Sequence, residues 1–394
     1  MNMNIIFWRL ILIVLSVILI AYYSYIFFDT PHPFWDLSVY ERAVADFKNG
    51  IDPYKKTTGL LFIYNPLALR LFSLLDQISP LRNTLLTLYG LSFSWILCEL
   101  TMLREVNSTY NVLEMSSVRI SRLITAISAV AIPATAFGSG IGVTSIASGN
   151  LTLYMHLALI AAFLGWGRES DSPRMLVPIL LIPVFSIIKP YFLLYLAIPP
   201  LISGRSKPAC NHAIFAGLIA LVFWTCSYYF FPDEFAKFMA ALKLQTFGGN
   251  DVGYSFFGIF RGLGVNDLMA LSLHFAVSAF LATAAVLYIR SEKSFGHQSK
   301  LLLLYFIFSI ANPRMKEYDL FPALICLFTF LRAISPKPDL IILIGVLFSS
   351  VGFSYIDQIA ELTGVYSDNI GQIIGLLAIG IIFTCQVIMQ KNLT

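Results

Sequence analysis

Apolar residues in this chain are gathered into long runs rather than into one-sided stripes. The runs lie near residues 6–28, 84–103, 119–137, 151–167, 175–189, 190–203, 211–231, 267–290, 301–312, 320–334, 340–356 and 370–390. Each crosses, or nearly crosses, a hydrocarbon core about 30 Å thick. The pattern predicts an all-α integral membrane protein, a polytopic bundle of about 12 transmembrane helices within a range of about 10–13. Residues 60–76, GLLFIYNPLALRLFSLL, are apolar too, but they contain Pro66 and Arg70. Counting them as a span inverts every later loop, so they read as a juxtamembrane helix lying at the interface. Leu37 to Lys48 sets Val39, Val44 and Phe47 against Glu41, Arg42, Asp46 and Lys48 at helical period. This predicts a second surface helix, the two framing a cleft.

Lysine and arginine then orient the spans. The connections Arg168–Arg174, Gly204–His212, Arg290–Lys300, Arg332–Pro338 and the tail at Lys391 are short and basic. The positive-inside rule places them, and both termini, in the cytoplasm. The opposite face then receives a first outer loop of about residues 29–83, Gly138–Asn150, the Lys189-Pro190-Tyr191 turn, a long outer loop of about 232–266 and Asn312–Asp319. The long loop reads as a flexible gate or acceptor-side segment. No fixed-period repeat, low-complexity tract or linker divides the chain, so residues 1–394 form a single domain.

Composition sharpens this class. Hydrophobic residues make up 58% and charged residues 12%, with mean hydropathy +0.77. A soluble domain carries about 25% charged residues, so no water-facing surface can be built from this chain. The net charge of +4 is too small to imply nucleic acid. Cys98, Cys210, Cys226, Cys326 and Cys385 are scattered without a C-x-x-C pair and read as small core hydrophobes. The first run, Ile5 to Phe28, exceeds a signal-peptide h-region and reads as a retained anchor.

The polar residues that carry chemistry collect on the outer face. His32-Pro-Phe-Trp-Asp36-Leu-Ser-Val-Tyr40-Glu41 follows the first span. A carboxylate beside aromatic rings at a membrane surface is partly desolvated, which suits Asp36 to accept a proton from a hydroxyl. Asp36 equally reads as a helix N-cap. Glu41 is the alternative base if the surface helix is rotated by a turn. Downstream, Lys55 and Lys56 read as solvated or phosphate-directed, near Tyr54, Tyr64 and Asn65. Ser148-Gly149-Asn150 opens a span, with Asn150 either capping it or offering its amide to a sugar hydroxyl. Gly138–Gly142 matches a phosphate loop by glycine count alone and is set aside.

Lys189, between two nearly continuous apolar runs, must snorkel or meet an anion. Asn312-Pro-Arg314-Met-Lys316-Glu317-Tyr318-Asp319 is either a mutually paired turn or a cationic clamp for a lipid phosphate. Of the five histidines only His32 falls near the cleft, the others reading as loop or helix-surface residues. Neither a metal cluster nor a Ser/His/Asp triad is expected.

Taken in order, Trp-Asp36-Leu-Ser-Val-Tyr40, Gly50-x-x-Pro53-Tyr54, Tyr64-x-Pro66, Ser-Gly149-Asn150, Lys189-Pro190 and Asn-Pro313 resemble the polytopic glycosyltransferases of the C superfamily, in particular glycosyltransferase family 87. The resemblance implies transfer of a sugar, commonly mannose, from a polyprenyl-phosphate donor to a lipid-linked or cell-surface glycan acceptor on the non-cytoplasmic face. It implies a bacterial plasma membrane location and Asp36 as the base. The family's Gly-Gln-x-Asn element is met only in part, since Gln is absent. Lys189, Arg314 and Lys316 are the expected donor-phosphate ligands. His32, Tyr40, Tyr54, Tyr64, Asn65, Asn150, Tyr191 and Tyr318 are the expected substrate contacts. No metal or other cofactor is carried over. A polysaccharide polymerase or a lipid-linked sugar flippase shares the span pattern but needs no carboxylate at Asp36. A secondary transporter needs charged or broken helices in matching halves.

Overall fold

The computed structural model describes residues 34–55, 60–103, 126–134, 141–166, 175–203, 207–247, 255–291 and 296–334. The predicted spans 6–28, 340–356 and 370–390, most of 119–137, and also His32, Lys56 and Cys385 lie outside these residues. Every regular element among the described residues is helical. In chain order they are α1 (Trp35–Lys48), α2 (Pro66–Ile78), α3 (Leu81–Thr101), α4 (126–134), α5 (Ile141–Ser148), α6 (Leu151–Trp166) and α7 (Leu176–Ile188). A 3₁₀ helix (Pro190–Ala197) runs into α8 (Ile198–Ile202), and α9 (Lys207–Phe230), α10 (Pro232–Phe247), α11 (Phe256–Gly262), α12 (Asp267–Ser291), α13 (His297–Ile310) and α14 (Glu317–Ile334) complete the series.

Among the described residues three stretches are long and apolar enough to cross a membrane: Leu81–Thr101, Lys207–Phe230 and Asp267–Arg290. In two of them, α9 and α12, the packing is inverted relative to a water-soluble helix. On α9 the buried positions are small, Ala209, Ala216, Ala220 and Ser227, while Ile214, Phe215, Leu218, Leu221 and Val222 are exposed. On α12 Ala270, His274, Ser278, Ala285 and Ile289 are buried, and Leu268, Met269, Phe275, Phe280 and Leu287 are exposed. Small residues let helices approach closely, and large apolar residues outside suit a hydrocarbon solvent. Leu151–Trp166, Leu176–Ile188 and Pro190–Ile202 are shorter apolar helices. In the last of these the 3₁₀ turn rises about 2.0 Å per residue against about 1.5 Å for α-helix, so eight residues, Pro190–Ala197, reach about as far as eleven would.

The centre of the bundle is α6, which is apolar on every side and buried along its whole length, as such a helix must be. It packs against α3, α7, α13 and α14. Close approach is visible at Gly142 on α5, where a Cβ would stand 2.4 Å from Ala134 Cα and 2.9 Å from the Phe321 ring. The glycine is thus used for helix packing.

Two helices form in the region expected to be the first outer loop, α1 and α2, packed on each other. Asn65 caps α2, its Oδ1 accepting from Leu67 N at 2.9 Å, with Pro66 at the first helical position. The long loop expected to be a flexible gate is instead mostly helical where described, forming α10 and α11. α10 is fastened to the first loop through Arg70 with Glu234 (3.0 Å) and Lys237 with Asp52 (3.1 Å). Among the described cysteines only Cys326 is a core residue; Cys98 is exposed, and Cys210 and Cys226 are half-buried.

Candidate functional site

One end of α6 gathers α1, the 60–66 segment, the Lys189 turn and the 312–319 turn. The arrangement begins with a backbone contact: Phe34 N donates to Ala147 O at 2.6 Å and seats the start of α1 on the end of α5. Gly149, at φ 65°, turns the chain from α5 into α6. A Cβ there would lie 2.9 Å from Phe34 Cδ1 and 3.1 Å from Leu37 Cγ. Glycine is therefore required twice over, for the left-handed turn and for the contact with α1.

The outcome of that contact is a buried pair. Asn150 Nδ2 donates to Asp36 Oδ2 at 2.8 Å, both residues being less than 10% exposed. Asn150 Oδ1 meanwhile accepts from Thr152 N at 2.9 Å. Asn150 is a cap as well as a site residue, but its amide is directed to Asp36, where a sugar hydroxyl was one expectation. The cap reading of Asp36 does not hold: it lies in the first turn of α1, whose N-cap residue is Phe34 at φ 63°, with no side-chain cap bond. Burial pushes the Asp36 carboxyl above the usual carboxylate range, while Asn150, Lys189 and Ser148 pull it back in part.

Tyrosines form the support beneath. The Tyr40 and Tyr64 hydroxyls are 3.0 Å apart, and Leu151 N donates to Tyr40 at 3.2 Å. The Tyr64 ring lies under the Lys189 ammonium, 5.1 Å from nitrogen to ring centre. Lys189 is extended at the end of α7, in the turn between two helices. No hydrogen bond to its ammonium is formed among the described residues. Burial lowers it to about 8; Asp319 and Asp36 raise it, and Arg314 and Lys316 lower it. Those influences bring Asp36, Lys189, Arg314, Lys316 and Asp319 into one electrostatic neighbourhood. Tyr318, half-buried, belongs to it through its coupling to Asp319, Tyr64, Asp36 and Arg314.

Several expected contacts serve the frame. Glu41 is paired with Arg82, with nitrogen-to-oxygen distances of 3.0–3.3 Å. Tyr54 donates its hydroxyl to the Tyr64 carbonyl at 2.9 Å and packs on Phe62 and Phe238. Asn65 Oδ1 also accepts from Ser227 at 2.7 Å, tying α2 to α9, and its buried Nδ2 has no hydrogen-bond partner among the described residues. Lys55 is exposed.

Two residues of the site were not anticipated. His156 was expected on a loop or helix surface but is fully buried on α6, about 9 Å along the axis from Asn150. Its Nδ1 lies 2.7 Å from the Tyr305 hydroxyl, and its Nε2 lies 3.1 Å from the Tyr191 hydroxyl and 3.3 Å from Asp319 Oδ1. Asp319 is the hub: Oδ1 also accepts from the Tyr191 hydroxyl, and Oδ2 accepts from Lys316 N at 2.9 Å and Asn312 Nδ2 at 3.4 Å. A histidine inside an otherwise apolar run was the available signal, since such groups are costly in a membrane. His274 is buried as well, its Nε2 3.0 Å from the Ala311 carbonyl.

Among the described residues no group of three or more His, Cys, Asp or Glu is placed to hold a metal ion. No protein-family model matches the chain, and no curated protein matches it in sequence.

Proposed function

We propose that this protein is a polytopic membrane glycosyltransferase of the C-superfamily type. It moves a sugar, with mannose the first candidate, from a polyprenyl-phosphate donor to a lipid-linked or cell-surface glycan acceptor. The full bundle has about 12 spans with cytoplasmic termini, and the Asp36 site faces the non-cytoplasmic side of a bacterial plasma membrane. The observation that carries the reading is the buried Asp36 carboxylate, oriented by Asn150, beside a Lys189 ammonium with no hydrogen-bond partner among the described residues.

In the reaction Asp36 takes the proton of the acceptor hydroxyl. The acceptor oxygen forms its bond to the anomeric carbon as the bond from that carbon to the phosphate oxygen breaks, and the electron pair leaves on the lipid phosphate. A single displacement of this kind inverts the anomeric configuration. Lys189, with Arg314 and Lys316, balances the charge that develops on the leaving phosphate.

The test is sugar transfer from radiolabelled polyprenyl-phosphate mannose in membranes lacking the endogenous protein, comparing wild type with Asp36→Asn at matched expression. The expected outcome is transfer by the wild type and a loss of about 10²–10⁴-fold in the variant, the usual contribution of a positioned base. Equal transfer by both removes Asp36 as base. No transfer by either, with other donor sugars also inert, turns the reading to the polymerase or flippase, neither of which requires this carboxylate.

A further inference from the structure

Asp319 is linked to both cationic turns of the site. Through the Tyr191 hydroxyl it holds the residue two positions after Lys189. Through Lys316 N and Asn312 Nδ2 it holds the turn that carries Arg314 and Lys316. It occupies the third position of α14, where a carboxylate reaching back to the N-cap N–H is half of a capping box and meets the positive end of the helix. On its inner side stands His156, with Tyr305 behind it. The partners assign the tautomer: Nε2 faces a carboxylate and a hydroxyl that is itself donating to that carboxylate, so Nε2 carries the proton. Nδ1 then accepts from Tyr305. The Tyr305 ring is fixed by Tyr195 stacked at 4.4 Å, and the Tyr195 hydroxyl lies 2.8 Å from Ser309.

We propose that His156 and Asp319 are a positioning pair, which locks the Lys189 turn to the 312–319 turn and so sets the spacing of the three cations that receive the carrier phosphate. This rests on reading Lys189 as a phosphate ligand. Neither residue takes a proton from the acceptor; that task belongs to Asp36. The pair spans α6, the Lys189 turn and α14. A carboxylate among phosphate ligands repels the ligand as a bare charge, and its placement here is accounted for by the bonds it makes to the two turns.

The sign of one substitution separates the two roles. Binding of farnesyl phosphate, with farnesol as the uncharged control, is measured on the full chain in lipid nanodiscs, at a pH low enough that Lys189 is an ammonium in every variant. Asp319→Asn removes a negative charge, so a bystander carboxylate predicts tighter farnesyl phosphate binding. The positioning role predicts binding at least tenfold weaker, with farnesol unaffected. His156→Phe is expected to behave like Asp319→Asn, and His156→Gln, which keeps a donor near the Nε2 position, to recover most of the affinity. Tyr191→Phe, which removes a single hydroxyl and no charge, is expected to weaken binding about threefold or more. Unchanged or tighter binding in Asp319→Asn, or equal binding by the two His156 variants, overturns the pair.

A second readout does not depend on phosphate. The pH at which Lys189 becomes reactive to an amine-acylating reagent, followed by mass spectrometry, is set by Asp319, Arg314, Asp36 and Lys316 around it. His156→Phe is expected to move that pH, and His156→Gln to restore it, although neither side chain adds charge. If wild type binds farnesyl phosphate no better than farnesol, the phosphate reading fails, and the labelling result still decides the pair. An unmoved Lys189 titration in His156→Phe overturns it.

Discussion

Asn150 donates its side-chain N–H to Asp36 across 114 residues of chain, and the bond is 2.8 Å long and buried. It joins the helix that follows the Gly149 turn to the surface helix α1. It also favours the ionised carboxylate against the burial that opposes it. Asn150→Ala removes one hydrogen bond to a charged group, a loss of about 1.5–3 kcal/mol in the ionised state. The expected result is an acidic limb of the transfer profile moved upward by about one unit or more. Loss of the cap to Thr152 N adds about 1 kcal/mol of destabilisation. Initial rates over a pH series and a thermal melt separate the two effects. An unmoved acidic limb removes Asn150 from the site.

Glu41→Gln is the control for the choice of base. Glu41 and Arg82 are both more than a third exposed, so their ion pair contributes about 0–1 kcal/mol. Transfer in the variant is expected within about threefold of wild type, against the 10²–10⁴-fold loss for Asp36→Asn. A loss in Glu41→Gln equal to that in Asp36→Asn reverses the assignment.

The pH profile of kcat/KM is expected to be bell-shaped. Asp36 acts as a base only when ionised, and its carboxyl titrates above the usual carboxylate range, so activity rises with pH through that point. Lys189 binds phosphate only as an ammonium, and burial brings it to about 8, so activity falls as pH rises through that value. Lys189→Arg supplies a cation that stays charged throughout. The alkaline fall should disappear in this variant even if its maximum rate is lower. A fall that persists unchanged assigns the alkaline limb to another group.

Gly149→Ala tests the seat of α1. The left-handed backbone at φ 65° costs an alanine about 1–2 kcal/mol, and the added Cβ meets Phe34 at 2.9 Å. A lower melting temperature is expected together with a fall in transfer, because displacing Phe34 moves Asp36 two residues on. Gly142→Ala, packed against Ala134 and Phe321 away from the carboxylate, is expected to lower stability with a smaller effect on the rate of the folded protein. Equal rates per folded molecule in both variants would separate the Gly149 turn from the site.

The amino-acid sequence by itself determined the all-helical class and the positions of the long apolar helices. Twenty apolar residues in a row have few folded solutions, so α3, α9 and α12 fall where the runs fall. Period and proline also marked α1 and α2 as two separate helices. Asp36, Asn150 and Lys189 were legible because a polar group beside a long apolar run must be capped, paired or functional. Tertiary structure alone decided which partner each side chain meets. It gave Asn150 to Asp36, gave Glu41 to Arg82, turned Asn65 and Tyr54 into joints of the frame, and drew His156 to Asp319 across 163 residues. Apolar periodicity reports that a helix is buried, but a helix buried on every side, as α6 is, has no pattern from which to read which neighbour each polar side chain meets.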